Sequence, residues 1–198
     1  MRRFDFPVSL DLAGRYCVVI GGGAEATDKA EKLRTAGARV QVVAEEVEPA
    51  LSDAAARGEI GWAARSWEPG DLQGAFLVIV TPEERDSGAE VVSHRARLGF
   101  LACVIDVPEL CDFANVARVD AGDLRIALSS GGRAPALLRR LREDLSRAIA
   151  TDEMARFVDA LSARRDAAPP GERSAAGKEA IEGFGLDVTV RYPDWFRA

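Results

Sequence analysis

Tyr16-Cys17-Val18-Val19-Ile20-Gly21-Gly22-Gly23-Ala24-Glu25-Ala26 decides the fold. An apolar run of strand length ends in glycines, and Ala26, Ala30 and Leu33 then follow at helical spacing. Gly21 permits a tight strand-to-helix turn. The bare backbone at Gly23 lets a pyrophosphate approach, and Ala26 is small enough for the helix to pack on the strand. Free N–H groups and the dipole at the helix start favour an anion. The expected cofactor contacts are Gly21, Gly22 and Gly23, with Ala24 and Glu25 opening the helix. Gly37 stops that helix, and a second strand, Arg39 to Val43, leads to Ala44-Glu45-Glu46. An acid about 20 residues past the glycines suits a ribose 2′-hydroxyl. No arginine stands at the end of that strand to receive a 2′-phosphate. Glu45 and Glu46 therefore point to NAD rather than NADP.

Working outward, strand and helix signals alternate. A short helix is expected over Pro49 to Arg57 and a weaker strand over Ile60 to Arg65. Phe76 to Val80 reads as a strand buried on both faces, Ser87 to Leu98 as a helix, and Leu101 to Ile105 as a second buried strand. Repeated β-α-β units imply a Rossmann-like, doubly wound parallel sheet of the α/β class. Ligands in such sheets bind beyond the carboxyl ends of the strands. That rule selects Gly21–Gly23, Glu45–Glu46, Thr81–Pro82 and Asp106.

The pattern changes after Phe113. Leu124 to Leu128 reads as a strand, Ser129 to Gly132 as a turn, and a helix begins near Pro135. Leu138, Leu141, Leu145 and Ala148 form one apolar stripe on an otherwise basic helix. Such a stripe must be buried within the fold or against a partner. Thr151 to Arg165 is a further amphipathic helix, Ala167 to Ala176 a linker or loop, and the end carries a short helix and an aromatic tail. The expected organisation is a nucleotide-binding domain over residues 1–113, a small α+β segment over 114–150 and a helical region over 151–198.

The chain has 198 residues, 47% of them hydrophobic, enough for one domain and an appendage. A net charge of −6 disfavours general nucleic-acid binding. Three cysteines, Cys17, Cys103 and Cys111, form no CxxC pair and fit a reducing compartment. Met1 to Pro7 has no apolar core of a signal peptide, and no run reaches membrane-spanning length, so a cytoplasmic protein is expected. His94 is the single histidine and falls on a helix away from the crevice, so a zinc-type metal site is not expected. Asp106 reads equally as a turn former before Pro108 and as a tuned acid or base in the crevice. Ser129, Ser130, Gly131, Gly132 and Arg133 offer hydroxyls, backbone N–H groups and a cation for an anionic ligand, or simply start a helix.

Phe6 to Arg15 followed by Val18 to Gly23 resembles the precorrin-2 dehydrogenase family, which includes the N-terminal part of bifunctional siroheme synthases. Lys29, Gly37-Ala38, Thr81, Val104-Ile105-Asp106-Val107-Pro108, Asp112-Phe113 and Leu124 to Pro135 extend the match in order, over about residues 4 to 150. The resemblance implies NAD-dependent oxidation of precorrin-2 to sirohydrochlorin, a step towards sirohaem and, in some organisms, cobalamin. It implies Asp106 as the acid/base residue and gives the Ser129–Arg133 loop a polycarboxylate substrate. Some members also insert ferrous iron into sirohydrochlorin through the same Asp. Ser130 matches a regulatory phosphoserine of some members. Family members are homodimers, and the segment after Phe113 crosses to the partner. This chain departs from the family at Thr81-Pro82-Glu83-Glu84, where Thr-Asp-Asp is usual, at Ser87 and at Asn115-Val116-Ala117. At 198 residues it is expected not to carry the fused methyltransferase. The alternative reading is an NAD-sensing dimeric module without chemistry. A chelatase acting without NAD is a third.

Overall fold

The computed structural model describes Phe4 and residues 6–197; the basic start, Met1 to Arg3, lies outside them. By internal packing the chain divides into two compact units, Met1–Asn115 and Val116–Ala198.

In the first unit, β1 (Tyr16–Ile20), α1 (Ala24–Thr35), β2 (Arg39–Val43), α2 (Pro49–Ala56) and β3 (Gly61–Ala63) are followed by β4 (Leu77–Val80), α3 (Gly88–Ser93), α4 (Arg95–Leu98) and β5 (Leu101–Val104). The five strands form one parallel sheet in the order β3-β2-β1-β4-β5. Val19 faces Val42 on one side and Ile79 on the other, so the register is set by β-branched residues at the centre of the sheet. Alternation along each strand divides the core in two. Cys17, Val19, Val42 and Ile79 pack against Ala26, Ala30 and Leu33 of α1 and Leu51 of α2. Val18, Ile20, Val78, Val80 and Val104 pack against Leu72, Val91, Val92 and Phe100 on the opposite face. Burial on both faces is why these strands are continuous apolar runs. The parallel, doubly wound α/β sheet is as expected.

The helix expected over Ser87 to Leu98 is broken. A 3-10 turn covers Pro82–Ser87, and α3 and α4 meet at His94. The Ser93 hydroxyl donates to Glu90 O at 2.6 Å, a back-bond that competes with the regular helical ladder. His94 is a packing residue whose ring lies edge-on to Trp67 at 6.4 Å.

The second unit contains an antiparallel pair, β6 (Ala117–Ala121) and β7 (Leu124–Leu128), then α5 (Pro135–Ile149), α6 (Asp152–Ala167), α7 (Arg173–Ala180) and α8 (Asp194–Arg197). Strand β6 is absent from the reading of the sequence above, although Ala117, Val119 and Ala121 alternate with Arg118 and Asp120. Small alanines mute that alternation, and the Gly122-Asp123 turn is its clearest signal. Thr151 caps α6, its hydroxyl accepting from Met154 N at 3.1 Å. The expected linker over Ala167 to Ala176 is shorter, because α7 starts inside it at Arg173. Among the described residues no helix is long and apolar enough to cross a membrane.

Candidate functional site

The glycine turn sits at the carboxyl end of the sheet, between β1 and α1. Gly21 has φ +122°, a value that side chains rarely allow. A Cβ at Gly21 would lie 1.9 Å from Thr81 Oγ1, and one at Gly22 would lie 1.9 Å from Glu46 O. Both glycines are thus required by contacts with neighbouring strands' ends. Glu48 N donates to Gly22 O at 2.8 Å, which fastens the segment after β2 onto the turn. Gly21 N in turn donates to Val43 O at 3.0 Å. Ala26 is fully buried on the sheet, as its small size permits.

Thr81 continues β4, its N–H donating to Ile20 O at 3.0 Å. Its side chain is buried beside Gly21, and Oγ1 has no hydrogen-bond partner. Leaving a buried hydroxyl unpaired costs about 1–3 kcal/mol. A bare glycine backbone, the start of a twelve-residue helix and an orphaned hydroxyl therefore converge on one place. They fit the pyrophosphate of a dinucleotide, which would pair with the exposed N–H groups and Thr81.

Ala24 and Glu25 open α1, and Glu25 pairs with Lys29 at 3.0 Å. Glu45 and Glu46 are exposed beyond β2. The Glu45 carboxylate accepts from Ser66 Oγ at 2.8 Å, while Glu46 contributes its backbone to the packing on Gly22. The nearby Arg65 is committed to Asp71 through two hydrogen bonds of 2.7 and 2.8 Å. That pairing, assisted by a bond from Glu68 N, holds the Asp71 carboxyl below its ordinary value.

Asp106 follows β5 in a turn closed by Val107 N donating to Val104 O at 3.1 Å. It takes φ +63°, an uncommon backbone for a residue with a side chain. Such a conformation costs on the order of 1–3 kcal/mol and is held by its surroundings. The Cys111 thiol supplies part of that support, donating at 3.1 Å to Val104 O and lying 3.3 Å from Val107 O. Asp106 is exposed, and Arg85 Nη2 lies 3.8 Å from its Oδ2. Both readings of the sequence meet here: Asp106 forms the turn and also presents a carboxylate beyond the sheet. Burial pushes the neighbouring Cys103 thiol up to about 12, with Cys111 adding to the effect. Cys103 is therefore a protonated core residue at neutral pH.

The Ser129–Arg133 loop belongs to the second unit. Ser129 Oγ accepts from Gly131 N at 3.2 Å, and Ser130 Oγ accepts from Ala134 N at 3.0 Å. Arg133 N donates to Ser130 O at 3.2 Å. Two of the N–H groups that the sequence offered to a ligand, those of Gly131 and Arg133, are thus used within the loop. Both hydroxyls keep a proton to donate, and the Arg133 side chain is exposed, with no ion pair among the described residues. A cleft of about 210 Å³ between β6 and α5 is lined by Ala117, Pro135, Leu138, Arg139 and Arg142. Among the described residues no group of three or more His, Cys, Asp or Glu could hold a metal ion.

Reading the sequence did not single out Arg85, Glu83 or Glu48 as part of the site. Their signal was Pro82, which starts a tight turn directly after a buried strand, and the acid four residues beyond Ala44.

A parallel sheet with a glycine turn after its central first strand, and an orphaned hydroxyl aimed at that turn, defines a Rossmann-type nucleotide-binding protein. The chain belongs to the family described as "Putative NAD(P)-binding", whose profile matches residues 8–117. It is similar to a siroheme synthase of Methylobacillus flagellatus, 40% identical over 69% of this chain and 29% of that protein. It is also similar to the siroheme synthase of Gluconacetobacter diazotrophicus, 34% identical over 94% of this chain and 41% of the relative. The chain thus spans about a third of the length of these curated relatives. A solved structure described as SirC, precorrin-2 dehydrogenase, superposes with a TM-score of 0.77 at 23% identity, covering 90% of each chain. At that identity the likeness is one of fold.

Proposed function

We propose that this chain oxidises precorrin-2 to sirohydrochlorin with NAD as hydride acceptor, on the way to sirohaem. The observation that carries the proposal is the pairing, at the carboxyl end of one sheet, of a dinucleotide cradle with a carboxylate held in an unusual backbone conformation. The cradle is Gly21 to Gly23 with Thr81; the carboxylate is Asp106. The solved structure that shares this fold is a precorrin-2 dehydrogenase, and the relatives are siroheme synthases, which supports the same substrate.

The reaction removes two electrons and two hydrogens from the macrocycle, one as hydride and one as a proton. Bound nicotinamide supplies the hydride acceptor. Asp106 accepts the proton, and its exposure leaves it open to a large substrate. Arg85, 3.8 Å away, keeps a positive charge beside that carboxylate. Thr81 and the N–H groups at the start of α1 hold the pyrophosphate. Glu45 takes the ribose hydroxyl, and the commitment of Arg65 to Asp71 ties up a cation that could otherwise welcome a 2′-phosphate. That arrangement favours NAD over NADP. Ser129, Ser130 and Arg133 serve the substrate's carboxylates, with residues 114–150 as the dimerisation segment.

The test is anaerobic incubation of the purified chain with precorrin-2 and NAD, following NADH and the sirohydrochlorin spectrum together. Turnover with NAD, at least about a hundredfold slower in Asp106→Asn, is the expected result. Equal turnover in that variant would remove Asp106 from the chemistry, and NAD binding without turnover would favour a sensing module. Ferrous iron added to the product asks whether metal insertion follows.

A further inference from the structure

Gly23 is the point at which a missing side chain gives a pyrophosphate access to the backbone. That space is occupied by the chain itself. A Cβ at Gly23 would lie 2.1 Å from Glu83 Oε1 and 3.1 Å from its Cδ. Glu83 comes from the 3-10 turn Pro82–Ser87, the segment with its own sequence in this chain. Glu84 N donates to Thr81 O at 3.1 Å, so the turn that carries Glu83 is tied to the residue with the orphaned hydroxyl. Glu83 is exposed and has no ion pair among the described residues, whereas Glu25, the other acid at the start of α1, is held by Lys29.

An unpaired carboxylate rests favourably at a helix N-terminus, where the dipole is positive. It rests there only while no stronger anion arrives. We infer that Glu83 is a resident anion of the dinucleotide cradle, and that it competes with the cofactor's pyrophosphate and lowers cofactor affinity. The inference rests on the proposed reading of Gly21 to Gly23 as that cradle. Glu83 and a pyrophosphate cannot both fill the space over Gly23, so Glu83 must swing out as the pyrophosphate enters. Its charge then still stands nearby and repels the bound phosphates.

Calorimetric titration of the full chain with NAD, ADP-ribose and adenosine tests this. Glu83→Gln and Glu83→Ala should each bind NAD and ADP-ribose about three- to tenfold more tightly than the parent, the gain shrinking as salt is raised. Adenosine carries no pyrophosphate and should bind all three proteins alike. ADP-ribose affinity that is unchanged or weaker in both variants would overturn the inference. Failure of the cradle reading looks different: the parent would not bind ADP-ribose, or Gly21→Ala would bind it as the parent does, and the inference would fall with that reading.

Discussion

The two compact units bury their apolar residues by different means. In Met1–Asn115, Cys17 to Ile20 and Leu77 to Val80 are all buried, and both faces of the sheet are covered by the unit's own helices and turns. In Val116–Ala198, α5 buries only Ile149, and α6 and α7 have no buried residue. Leu137 is 56% exposed and Leu141 39% exposed. The first unit has enough surrounding chain to enclose its own core. In the second, the apolar stripe of α5 is left largely uncovered and calls for a covering surface, which the proposed homodimer would provide.

Substitutions can break that comparison. Leu72 is fully buried against the sheet, and Leu72→Ala should cost about 2–5 kcal/mol in urea unfolding. Leu141→Ala should cost under about 1 kcal/mol at low protein concentration, as an exposed change does. Its cost should rise with concentration if a second copy covers α5. Equal, concentration-independent costs at the two positions would abolish the distinction.

A smaller effect is expected within the first unit. Gly21→Ala should lose about 1–3 kcal/mol of stability through its φ of +122° and the contact with Thr81. Thermal unfolding with and without NAD should show the stabilisation by cofactor shrinking as well. A full cofactor response in this variant would separate the turn from binding.

The smallest effect sharpens the contrast chemically. All three cysteines lie in the first unit, so thiol chemistry reports on that unit alone. Burial raises Cys103 to about 12, above an unfolded value of about 8.5. Its contribution to stability is whole below about pH 8.5 and is lost as pH rises through about 12. Alkylation of Cys103 by iodoacetamide near pH 8.5 should run at least about tenfold slower in the native chain than in denaturant. Equal rates would mean that the sheet opens readily.

Much of the first unit was legible because its signals are local. Val18 to Ile20 and Leu77 to Val80 are strand-length apolar runs, and Gly21, Gly23 and Ala26 have roles dictated by steric size. The second unit was less legible. Ala117 to Ala121 alternates through small alanines, and Arg173 to Ala180 forms a helix where Pro169-Pro170-Gly171 suggested a longer loop. Neither stretch carries a strong apolar period. The break at His94 coincides with a serine back-bond that no apolar pattern reveals.

The parallel α/β sheet, the place of the glycine turn and the position of Asp106 beyond a buried strand are all written in the order of residues along the chain. These follow from the period of apolar residues and from the missing side chains of glycine. Only the tertiary structure decided that Thr81 is orphaned against Gly21, that Arg65 is taken by Asp71, that Arg85 reaches Asp106 and that Glu83 lies against Gly23. Most of these partners come from different strand ends or turns, and strand order brings them together. Distance along the chain carries no record of that order, because it is set by which apolar faces find one another.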